Sequence, residues 1–198
     1  MATTISGTSG VTFPAGGVGN PAGAVVGTTD TQTLTNKTIQ GGAITSGTAV
    51  ATTSGTSVDF TGIPSYVKRI TVMFNGVSLS GSANPILQIG AGSVVTTGYS
   101  SVSIYSSGAG GSVISATNGY CINSGSNPAE GQTGIATLCL LNSSTGIYVM
   151  SYTGKLTSSN NIVASGVLTL SGILDRIRFT TTNGTDTFDA GSVNILYE

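Results

Sequence analysis

Hydrophobic positions recur with a period of two along most of residues 56–198 and show no regular period before that. Successive side chains of a strand point to opposite faces, so a period of two marks a strand with one buried face. The clearest case is residues 66–74: Ile70, Val72 and Phe74 share one face, Arg69 and Thr71 the other, with Pro64 and the Asn75-Gly76 pair as bounding turn signals. Further strands are predicted at 86–90, 101–105, 135–141, 147–153, 167–171, 174–180 and 192–197. In the last of these Val193, Ile195 and Tyr197 alternate inward, which ends the chain inside a sheet. Residues 135–141 carry large or apolar side chains on both faces, Ile135, Cys139 and Leu141 against Ala136, Leu138 and Leu140, and are expected to be central and covered twice. Short strands at this spacing predict an all-β fold, an antiparallel β-sandwich (jelly-roll-like) domain over residues 56–198.

Residues 1–55 follow another rule. They hold eleven glycines, two charges (Asp30 and Lys37) and one aromatic, Phe13, whereas the other eleven aromatics lie beyond Thr56. Gly-rich stretches such as residues 16–23 favour turns and extended chain, and helix is not expected here. The threonine-rich run 28–41, TTDTQTLTNKTIQG, has only Leu34 and Ile39 as large apolar residues, five apart, so it cannot build a core by itself. Disordered segments combine low hydrophobicity with high net charge, and this one has almost no charge. Its sparse apolar residues, Val11, Phe13, Val25, Leu34 and Ile39 among them, are therefore expected to be buried against other copies of the chain or a larger partner.

Charge narrows the function classes. Charged residues make up 7% of the chain against ~25% in ordinary soluble domains, and six Lys/Arg with seven Asp/Glu leave a net charge of −1. No basic stripe follows a phosphate backbone, so nucleic acid is not an expected partner. No apolar run approaches the ~20 residues of a membrane span, and the first residues lack the basic and apolar regions of a secretory signal. Membrane insertion is not expected, and the chain reads as made in a cytoplasm.

Catalytic chemistry has little to work with. There is no histidine, which leaves carboxylates and lysines as titrating groups. Asp186 and Asp189 lie three apart in a Gly-bounded NGTDTFDAG turn, where Asp commonly bonds local backbone; a calcium site with Asn183 is the alternative, at a spacing unlike an EF-hand. Cys121 and Cys139, without a CxxC pair or histidine, are expected as small buried reduced side chains rather than metal ligands. No cofactor is implied. The VKRITV and LDRIRF segments share an Arg-Ile step at one strand phase, and as neighbouring strands they would set Lys68, Arg69, Asp175, Arg176 and Arg178 on exposed faces, where charges keep edges from sticking. Residues 98–111 and 118–127, rich in Tyr, Ser, Gly and Asn, have the composition of low-charge recognition surfaces that also suit sugars. Tyr99, Tyr105, Tyr120 and Asn123 are the candidate receptor contacts, with a core role for Tyr105 as the alternative.

Three stretches, ISGTSGVTFPAG, GTTDTQTLTNKTIQGG, and SGTSVDFTGIPSYVKRITVMFNGVS with the ending TFDAGSVNILYE, carry a resemblance. The chain resembles the short tail-fibre and tail proteins of tailed bacteriophages. The resemblance implies a non-enzymatic, homotrimeric virion component assembled in the host bacterial cytoplasm. Residues 1–55 would form the virion-attachment and trimerisation segment, with Val11, Phe13, Val25, Leu34, Lys37 and Ile39 as its contacts. Residues 56–198 would face outward toward host cell-surface glycan, the other partners being phage tail or capsid proteins. Because a shaft is nearly absent, a capsid-decorating head fibre or tail adaptor with only protein partners fits the same features.

Overall fold

The computed structural model describes residues 5–6, 10–11, 44–107, 110–123, 127–128 and 130–198. The chain divides into two compact units, Met1–Gln40 and Gly41–Glu198. In the first, β1 (Ile5–Ser6) pairs antiparallel with β2 (Gly10–Val11), placing Ile5 opposite Val11. The threonine-rich run and Phe13, Val25, Leu34, Lys37 and Ile39 lie outside the described residues.

The second unit contains β3 (Thr45–Ser46), β4 (Val50–Ala51), β5 (Val58–Thr61), β6 (Arg69–Leu79), β7 (Pro85–Ala91), β8 (Ser93–Val94) and β9 (Ser100–Ser107). After these come β10 (Gly110–Ala116), β11 (Tyr120–Cys121), β12 (Gln132–Asn142), β13 (Ile147–Leu156), β14 (Asn161–Thr169), β15 (Arg176–Thr181) and β16 (Phe188–Tyr197). The described residues form no helix, and every strand pair is antiparallel, as the period-two patterning predicts. The large sheet runs β10-β9-β14-β13-β12-β6-β16-β3, with β4 also on β16; the small sheet runs β11-β7-β15-β5, with β8 on β7.

Inward residues of both sheets enter one hydrophobic cluster: Ile70, Val72, Leu138, Met150 and Ile162 from the large sheet, Leu87, Ile89 and Ile177 from the small one. Phe179 of β15 joins them, stacked on Phe188 of β16 with centroids 4.7 Å apart and edge-on to Phe74 of β6 at 5.0 Å. Aromatic side chains each remove ~150–250 Å² from water, which makes this trio a main contributor to holding the sheets together.

Four features depart from the sequence reading. The Asn75-Gly76 pair does not end its strand: β6 continues to Leu79, with Gly76 at φ 62° and register shifts against both neighbours. Gly191, at φ 94°, lies opposite, where a Cβ would meet the Gly76 carbonyl carbon at 2.6 Å, so two glycines let two facing strands bulge together. The VKRITV and LDRIRF strands are not neighbours, since β6 pairs with β12 and β16 in the large sheet and β15 with β5 and β7 in the small one. β12 is central, between β13 and β6, but covered once: Ala136 and Leu138 are buried while Ile135 is 51% and Leu141 68% exposed. For the same reason only Cys121 is buried, and Cys139, also a free thiol, sits on the uncovered face. Thr45–Ser46 and Val50–Ala51, before the expected boundary at Thr56, pair with the last strand.

Candidate functional site

The structure places the tyrosines expected at a receptor surface elsewhere. Tyr99 and Tyr120 are in the shared core, ring centroids 4.9 Å apart and edge-on. Each hides its hydroxyl by bonding it: Tyr99 Oη accepts from Ile89 N at 2.8 Å and donates to Val95 O at 3.0 Å, and Tyr120 Oη donates to the Tyr148 carbonyl at 3.0 Å. Burial raises both phenols, Tyr99 to about 12. Asn123 is buried as well, beside Cys121, whose thiol donates to the Asn123 carbonyl at 3.0 Å and is pushed up to about 11 by burial. Tyr105 is half-buried against the core, its hydroxyl 3.3 Å from Asn160 Nδ2. The composition of these stretches pointed to a surface, but a tyrosine with a bonded hydroxyl packs as a core residue, and Tyr99, Tyr120 and Asn123 are buried away from any ligand.

The loops at one end of the second unit form a different concavity. Residues 63–68, the β12–β13 turn and the β14–β15 connection enclose a cleft of about 510 Å³. Backbone bonds hold it: Leu140 N donates to Lys68 O at 2.8 Å, Leu170 N to Gly146 O at 2.9 Å, and Ile63 N to Asp175 O at 3.0 Å. Asn142 shapes the turn, its Oδ1 accepting from the Ser144 amide at 2.9 Å and hydroxyl at 2.7 Å. Gly146 has φ 65°, and a Cβ there would collide with the Leu170 carbonyl oxygen, so the close approach of the two loops requires glycine.

The floor of the cleft is apolar, from Val67, Leu170 and the ring of Tyr148, whose phenol burial raises. Exposed hydroxyls of Ser65, Ser143, Thr145 and Ser171 make the rim, with Lys68 the one charged lining side chain and Ile173 66% exposed at the edge. No protein-family model, curated protein or solved structure matches this chain. The chemistry of the cleft therefore has to speak for itself: it can offer hydroxyl hydrogen bonds, one cation and an apolar platform to a neutral or weakly anionic ligand. Among the described residues no carboxylate lines it, so they place there neither a carboxyl pair for glycoside hydrolysis nor a carboxylate ligand for a hard cation.

Among the described residues, no three His, Cys, Asp or Glu side chains come together as a metal site. Asp186 is committed to its loop: it accepts from Asn183 Nδ2 and from Ala83 N, both at 2.8 Å, and those two bonds, the first the larger, hold its carboxyl below the usual carboxylate range. Asp189 bonds the Ser78 hydroxyl. Sequence reasoning missed the cleft because Ser143–Thr145 and Ser171 are ordinary loop residues until the antiparallel order of β12, β13 and β14 brings their connections to one end.

Proposed function

We propose that the chain is a structural virion protein of a tailed bacteriophage, a short trimeric tail fibre without enzymatic activity. Residues 1–55 attach it to the particle, and the β-domain, read as a jelly-roll-like sandwich, faces outward and adsorbs to host-surface glycan. The observation that carries the adsorption half is the hydroxyl-rimmed, apolar-floored cleft beside Lys68, since sugars present hydroxyls together with apolar C–H faces. The attachment half rests on the resemblance of residues 1–55 and on a sequence there whose sparse large apolar residues, such as Leu34 and Ile39, cannot build a core alone. Localisation on the virion follows from both.

Competition tests the adsorption half. The purified full chain is expected to compete with phage for permissive cells, and Ser171→Trp, which fills the cleft from its exposed rim, is expected to lower that competition at least tenfold with unchanged thermal stability. Equal competition by the variant would remove the cleft from the reading, and no competition by the parent would remove host adsorption. A second reading, a capsid-decorating head fibre or tail adaptor with only protein partners, is favoured by the uncovered apolar face of β12. Imaging of labelled particles separates the two, since a head position without cell binding fits only the second.

A further inference from the structure

The outer face of the large sheet is built in rows. One row crosses six strands, Val113–Ile104–Val163–Thr153–Ile135–Met73, each residue opposite the next in register. In the single chain Val113 is 64%, Val163 57%, Ile135 51% and Ile104 49% exposed, so this row is a ridge of aliphatic side chains in water. The next row, two residues along every strand, reads Ser115–Val102–Ser165–Ser151–Thr137–Thr71. Its short side chains make a furrow, which opens beside Val102, Ser115 and Ser165 into a depression of about 460 Å³. A third row, Val167–Val149–Cys139, closes the far side. Neither the ridge nor the furrow contains a charge; Lys155, opposite Thr133, and Arg69, opposite Cys139 and bonded to Glu198, stand only at the margins.

We propose that this face is where copies of the chain associate, the ridge of one copy lying in the furrow of the next. Two properties favour a second copy over an unrelated partner. The face carries both halves of the fit, a ridge and a parallel furrow about 7 Å away, which is the self-complementarity a homo-oligomeric contact needs. It is also broad: five strand spacings, ~24 Å, by two row steps, ~14 Å, project to roughly 340 Å² before the marginal side chains, a substantial part of the ~800 Å² per partner of a stable interface. The exposed aliphatic ridge is the part of the face that calls for cover.

The self-complementary fit alone closes a two-fold pair; the fibre reading, on which the number of copies rests, turns it into a ring of three in which the ridge of each copy lies in the furrow of the next. Two measurements on the full chain test it. In sedimentation the parent is expected to run as an oligomer and the Ile104→Lys/Val163→Lys variant, with unchanged circular dichroism, as the single 19.6 kDa chain. Cys139 gives a second readout without mutation: exposed in one chain, it is expected to react with a maleimide at least tenfold more slowly in the oligomer than after dilution to monomer, while buried Cys121 stays silent. A trimer whose Cys139 reacts freely would keep the trimer and overturn this face. A dimer with Cys139 protected would keep the face and overturn the trimer, and a parent that sediments as a monomer at all concentrations would overturn both. If the double variant does not fold, Cys139 protection in the parent decides alone.

Discussion

The outer face of the small sheet and the outer face of the large sheet begin from the same inner core and end in different chemistry. On the small sheet Arg178 lies opposite Asp59 and is bonded to it at 2.8 Å, and the Arg176 guanidinium reaches Asp175 at 2.8 Å. On the large sheet the equivalent positions hold valine, isoleucine, serine and threonine. In a chain with 7% charge, the placement of the few ions is informative. Charges on an outer strand face discourage sheet-to-sheet contact and keep that face in water, whereas an aliphatic ridge beside a hydroxyl furrow invites cover. Both sheets turn apolar side chains inward, although β7 is also buried on its outer side, where Ile86 packs with Ala116 and Cys121; the inner residues report only that a core exists, and the outer residues report what each face meets.

The comparison can be broken at three levels. The core is common to both sheets, so Phe179→Ala, which removes a ring packed on Phe74 and Phe188, should cost ~3–5 kcal/mol in urea unfolding monitored by far-ultraviolet circular dichroism. A loss below about 1 kcal/mol would show that the two sheets do not depend on one core. Acid should separate the outer faces. Asp175 is held below its ordinary value of 3.8 chiefly by the Arg176 hydrogen bond, and Asp186 by Asn183. A depressed carboxylate contributes stability that is present above its unfolded pKa and is lost as pH falls through the lower folded value. The melting temperature is therefore expected to hold from pH 6 to about 4 and to fall below that, less steeply in Asp186→Asn, while sedimentation shows the large-sheet contact, which contains no carboxylate, unchanged at pH 4. An association lost before the melting temperature moves would mean that ions hold that contact. The smallest effect is expected for Arg178→Ala: a pair this exposed contributes ~0.2–1 kcal/mol, so its melting temperature should shift by only a few degrees at low salt and less in high salt.

Most of the inward-facing core was legible because its strands use bulky residues at alternate positions, as in Ile70, Val72 and Phe74 or Val193 and Ile195. What was not legible has physical causes. β14 alternates Ile162, Ala164, Gly166 and Leu168, and its small members carry no strand signal; Gly166 is small because a Cβ would meet the Tyr120 ring at 2.8 Å. β10, GGSVISA, reads as a loop until β9 pairs with it, and β5 is only four residues long. Tyr99 and Tyr120 looked like surface residues because composition does not show that their hydroxyls find Val95 and Tyr148 carbonyls inside. For β12 the two-sided pattern predicted cover on both faces, and the chain covers only one, because none of the described residues packs over Ile135 and Leu141. The cleft depends on which loops the topology gathers, and no local pattern contains that.

The pairing of residues 45–51 with β16 gives the domain a mechanical character. Contacts between Gly47 N and Ile195 O at 2.8 Å, Thr52 N and Gly191 O at 2.9 Å, and the Thr52 hydroxyl and Ala190 O at 2.7 Å join the two short ladders into one seam along the last strand. Tension that arrives along the strand axis from the residue 44 side is shared by all of these bonds in shear, and the force is passed to β6 through the neighbouring ladder. Tension applied across the strand would open the same bonds one at a time. The domain therefore resists being pulled in one direction far better than in the other, and the strand that receives the force is tied to the rest of the large sheet along its whole length by β6.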